Sequence, residues 1–71
     1  MEYQTILEVL GFAAGSQRAV VIRTHDGHRI AGVPTGVDAH PTALEVYLHP
    51  AGDDDTEIVI SLTAIAEVEL T

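Results

Sequence analysis

The stretch from Val20 to Asp38, VVIRTHDGHRIAGVPTGVD, admits few folds. Val20, Ile22 and Thr24 alternate with Val21, Arg23 and His25, as a half-buried strand requires. Asp26-Gly27 then supplies a tight hairpin turn, because glycine accepts the positive φ that such turns need. The return strand, about residues 28–37, has Gly32 in its middle and Pro34 shortly after. A mid-strand glycine marks a bulge, a bend or a close backbone approach, and proline cannot donate to a ladder. The second strand is therefore predicted to be strongly bent, with an edge or a distortion at Pro34.

The flanking chain adds one helix and more sheet. Tyr3, Ile6, Leu7 and Leu10 share the spacing of one helical face and Gly11 follows, which predicts a short helix over about residues 2–10 with Glu2 in its first turn. The β-branched Thr5, Ile6 and Val9 leave an extra strand as the alternative there. Phe12 is expected to anchor a linker on the core, and Ala13 to Gln17 reads as a loop. The first strand then occupies about residues 19–25. After a turn at Asp38-Ala-His-Pro-Thr, a third strand is predicted over about residues 44–49, with Leu44, Val46 and Leu48 inward. The loop from Pro50 to Thr56 carries Asp53-Asp54-Asp55, expected as a solvated tip with nothing to pair internally. A fourth strand over about residues 57–62 turns Ile58, Ile60 and Leu62 inward and leaves apolar Val59 on the other face, which hints at a covering partner. A turn at Thr63-Ala64-Ile65 leads to a fifth strand over about residues 66–70, with Val68 and Leu70 inward.

Size and charge narrow the function classes. Seventy-one residues allow one small domain, spanning residues 1–71. Folding buries ~6,000–7,000 Å², and the ~100 kcal/mol from its apolar part is met by an ordering cost of about the same size. No cysteine is available for a disulfide or a thiolate zinc site, so self-association is the expected supplement. Eleven acids against Arg18, Arg23 and Arg29, with no lysine, give a net charge of -8. That balance argues against generic nucleic-acid binding, DNA included, because Lys and Arg supply most non-specific affinity for phosphate. No apolar run is long enough to span a bilayer and the start lacks a basic signal-peptide region, so no membrane partner and a cytoplasmic location are expected.

A short helix followed by five strands, the second bent at a glycine, resembles the Sm-like fold of Sm, LSm and Hfq-type proteins. Val20-x-Ile22, Gly27, Ile30, Gly32, Val37 and Asp38 resemble the family's first motif; Ile60, Ile65 and Val68 resemble its second. The fold class predicted is thus mainly β, a five-stranded bent antiparallel Sm-like or other SH3-like barrel behind an N-terminal helix. The resemblance implies a homo-oligomeric ring in which the last two strands of neighbouring copies pair edge to edge. Val59, Ile60, Ser61, Ala66 and Val68 would then form the interface and remove an exposed edge. It also implies RNA as ligand. The family's Asn after the closing Asp, and its Arg-Gly or Lys-His pair in the second motif, correspond here to Thr42 and to Ser61-Leu62-Thr63. With neither a charged phosphate contact nor a stacking aromatic, the usual uridine pocket is expected to be degraded. Asp38 is expected to accept backbone hydrogen bonds in its turn.

Other candidate sites are modest. Arg23 and Arg29 could form a local basic spot for RNA or another anion, although pairing with nearby acids such as Glu45 is the commoner fate. His25, His28, His40 and His49 sit in or beside turns without a recognised ligand spacing, so no metal and no cofactor are predicted. Ser61 and Thr63 lack the strand-turn-helix context of a nucleophile elbow, and no enzyme is predicted. The function expected is a non-catalytic, ring-forming Sm-like scaffold. The alternative is an acidic regulator that binds a nucleic-acid-binding protein, because the acidic balance and the strand-Asp-Gly-strand hairpin also resemble the Rho-binding antiterminator.

Overall fold

The computed structural model describes all residues, Met1–Thr71. Helix α1 (Tyr3–Ser16) is followed by strands β1 (Val20–Thr24), β2 (Arg29–Asp38), β3 (Glu45–His49), β4 (Ile58–Ser61) and β5 (Ile65–Leu70), with one 3-10 turn at Leu62–Ala64. The strands form an antiparallel sheet in the order β4-β3-β2-β1-β5.

β2 organises this sheet. Its first part pairs with β1, from Arg29 opposite Arg23 to Gly32 opposite Val20. Its second part pairs with β3, from Val33 opposite His49 to Asp38 opposite Glu45, with a register shift between Pro34 and Gly36. The changeover depends on Gly32. A Cβ there would stand 2.7 Å from the His49 carbonyl oxygen and 2.8 Å from Leu48 Cδ1, so a side chain would keep the strand from folding over itself. Fully buried Pro34 follows where the ladder is distorted, as its missing N–H leads one to expect. The hairpin turn is also as read, with Gly27 at φ 91°.

The helix corrects the sequence reading. It runs six residues past Leu10, because Ile6, Leu10 and Ala13 make the buried stripe and the spacing continues through Ala13. Residues 13–16 are thus helix and not loop. Phe12 lies on the opposite face at 53% exposure and anchors nothing, while Tyr3 is also exposed and Glu2 is the N-cap residue, without a capping bond from its side chain. The helix stops at Gln17, whose left-handed φ of 54° lets Arg18 N–H donate to the Ala13 carbonyl at 2.9 Å. α1 lies across β2 and β5 and contributes Ile6, Leu10 and Ala13 to one core with Val20, Ile22, Val46, Leu48, Ile60, Leu62, Ile65 and Val68.

Three smaller corrections lie near the strand ends. Leu44 is outside β3, in the left-handed region at φ 50°. Leu62 is buried as expected but belongs to the 3-10 turn, and Ile65 opens β5. Leu70 lies opposite buried Val20, on the side of Val68, but at the end of β5 it is 43% exposed. No helix is long and apolar enough to cross a membrane.

Candidate functional site

The most organised polar surface is the loop after β2 together with the turn between β4 and β5. Asp38 Oδ1 accepts the His40 N–H at 3.0 Å, the Asx-turn role expected of it. His40 Nδ1 accepts the Thr42 N–H at 3.2 Å and lies 2.8 Å from Thr42 Oγ1. With Nδ1 engaged as acceptor, the neutral ring carries its proton on Nε2. The His40 carbonyl accepts from Ala43 and Leu44 N–H, which holds Leu44 in its left-handed conformation. Leu62 N–H then donates to the Leu44 carbonyl at 2.8 Å and stitches this loop to the 3-10 turn, where Ser61 Oγ and Thr63 Oγ1 are 2.9 Å apart.

The chemistry of these loops is neutral. Thr42, Ser61 and Thr63 offer hydroxyls and His40 an imidazole, with no cation among them. Such groups hydrogen-bond to bases or sugars but do not neutralise phosphate. Reading the sequence placed His40 in a turn but did not group it with Asp38 and Thr42; the Asp-x-His-x-Thr spacing of local side-chain turns was the signal.

The arginines lie elsewhere. Arg23 donates to Glu67 Oε2 at 3.0 Å, because β5 and not β3 flanks β1. The expected partner Glu45 instead accepts from the Tyr47 hydroxyl at 3.3 Å. Arg29 is exposed, opposite Arg23, and lines a shallow depression with Thr24, His25, Asp26, His28, Ile30 and Ala64. The 3-10 turn stands between these two regions, since His25 N–H donates to the Ala64 carbonyl at 2.9 Å. Arg23 and Arg29 are therefore not gathered with Asp38, Thr42 and Thr63 into one site.

His25 and His28 flank the β1–β2 turn, while His40 and His49 lie apart from them in the loop after β2 and at the end of β3. His28 Nδ1 lies 3.1 Å from Asp26 Oδ2, and Thr24 Oγ1 also donates to Asp26. Hydrogen bonds from the Thr24 hydroxyl first and then from the His28 main-chain N–H hold the Asp26 carboxyl below its ordinary value. His49 Nδ1 is 3.0 Å from the Pro50 carbonyl and 3.5 Å from Asp54 Oδ1. No three His, Asp or Glu side chains converge to hold a metal ion. The acidic loop is solvated but does pair internally, contrary to expectation. Asp53 accepts from Thr56 Oγ1 at 2.7 Å and from Asp55 N–H at 3.2 Å, which lowers its carboxyl pKa, the Thr56 bond first.

An N-terminal helix on a five-stranded antiparallel sheet with a second strand bent at glycine defines the Sm-like fold. In agreement, the crystal structure of the pleiotropic translational regulator Hfq is similar to this chain at a TM-score of 0.73, with 19% sequence identity over 100% of this chain and 98% of that one. No protein-family model matches the sequence, and no curated protein does.

Proposed function

We propose that this chain is a non-catalytic Sm-like scaffold that closes into a homo-oligomeric ring by pairing β4 of one copy with β5 of the next. The observation that carries the reading is the strand order: β4 and β5 are the two ends of the sheet, each with one unpaired edge. Joining them head to tail satisfies both edges in one step, and closed symmetry avoids a growing filament. Val59, Ser61 and half-buried Ala66 would flank the seam, whereas Ile60 and Val68 point into the core and could serve it only through their main chains. Light scattering in solution tests the assembly: a mass of several copies is expected, and a stable monomer of 7.6 kDa would contradict it.

RNA is the ligand class suggested by the likeness to a translational regulator. The uncharged loop pair and the net charge of -8 favour weak, neutral contacts at most. Oligo-uridine retention on a filter at physiological salt is expected to be weak or undetectable; sub-micromolar, salt-resistant binding would contradict this reading. A second reading, an acidic regulator of a basic nucleic-acid-binding protein, is favoured by one observation: Asp38, Glu45 and Glu57 have no cationic partner on the outer sheet face.

A further inference from the structure

We propose that the outer face of β2–β3–β4 is a docking surface for a basic polypeptide segment, one with Arg or Lys side chains on both sides of an apolar one. This rests on the second reading above for the charge of the partner and adds the place where it binds.

The register sets Gly36, Tyr47 and Val59 side by side across three strands, and Asp38, Glu45 and Ser61 likewise two residues further on. Between them, Val37, Val46 and Ile60 turn to the core, so both outer rows face solvent. With strands ~4.8 Å apart, the first row is an apolar strip ~10 Å long. Val59 is 47% exposed at its end. The strip dips at Gly36, where nothing stands within 4 Å of the place a Cβ would occupy.

Carboxylates border this strip. Glu45 and then Asp38 and Glu57 raise the pKa of the Tyr47 hydroxyl, which places the field of all three on that side chain. Asp38 and Glu45 are direct cross-strand neighbours, an arrangement of like charges that disfavours the sheet when nothing neutralises it. The arginines of the chain sit after α1, on β1 and at the start of β2, too far along the sheet to pair here. A bound cation relieves that repulsion, and a guanidinium can stack on the Tyr47 ring while its N–H groups reach Glu45. An apolar side chain of the same segment fits the dip beside Tyr47. RNA phosphates would meet repulsion on this face, which selects a polypeptide. Edge pairing in a ring extends the sheet beyond β4 and leaves the face open.

Fluorescence anisotropy tests the surface with the full chain and a labelled decapeptide bearing four arginines around a central leucine. Replacing Glu45→Gln with Glu57→Gln is expected to weaken binding by about tenfold. Gly36→Val, whose Cβ would have no atom of the chain within 4 Å, puts bulk in the dip and is expected to weaken it several-fold. Asp54→Asn with Asp55→Asn removes the same charge from the loop and is expected to change affinity by no more than about twofold. Equal losses from the loop pair and the face pair would show unselective attraction and overturn the surface while the regulator reading survives. No binding by the unmodified chain would overturn both and leave ring assembly untouched. Labelled oligo-uridine binding that Gly36→Val abolishes would assign the face to RNA instead.

Discussion

Gly32 is the residue whose replacement the fold tolerates least. Its missing Cβ leaves room for the His49 carbonyl at 2.7 Å, and a backbone atom cannot swing aside as a side-chain end can. Gly32→Val is expected to cost about 2 kcal/mol or more, seen as a fall of about 10 °C in a thermal melt. Gly36→Ala, in open space on the same strand, should melt within about 2 °C of the parent. Two exposed carboxylates add to the acid sensitivity. Asp26 and Asp53 both have folded pKa values below the ordinary 3.8, so their contribution is present above that value and is lost as pH falls through the lower folded one. Between pH 5 and 2, Asp26→Asn combined with Asp53→Asn should flatten the decline of melting temperature, and an unchanged slope would assign acid sensitivity elsewhere. Gly32, Asp26-Gly27 and Asp38 were legible because turn and bend chemistry is local. The left-handed Leu44 was not, since leucine carries no propensity for that conformation and its alternation with Val46 and Leu48 reads as strand.

At the scale of elements, the strands were legible and the helix end was not. Alternation of apolar residues survives in β1, β3 and β4 because one face of each is buried. Gly11 looked like a stop, yet burial of Ala13 carried the helix to Ser16 and a non-glycine residue, Gln17, took the left-handed cap. Tertiary packing outweighed the ~1 kcal/mol cost of a glycine in a helix. Because Gly11 is exposed, mid-helix and free of neighbours, Gly11→Ala should raise the melting temperature by about 4 °C. A drop would mean that something packs on that face. Arg23 meeting Glu67 instead of Glu45 has the same origin: a salt bridge across strands depends on strand order, which local periodicity does not encode. The candidate site was legible only in part for this reason. Asp38, Thr42 and Thr63 were identified singly, but their grouping with His40 and separation from Arg23 and Arg29 follow from how β2 bends.

For the whole molecule, the open question is how a chain of this size with two unpaired sheet edges reaches a stable state. Its buried core comprises eleven apolar residues, and a disulfide is not available. In the proposed ring, edge pairing of β4 with a neighbouring β5 would extend every sheet into the next copy and make stability depend on concentration. The acidic loop at Asp53–Asp55 is then expected to lie away from the seam, since its charge repeated at close range around a ring would oppose closure. Light scattering coupled to size exclusion at micromolar concentration measures the assembly. A ring gives a single species at three or more times 7.6 kDa, whereas a stable, monodisperse species of 7.6 kDa rules the ring out.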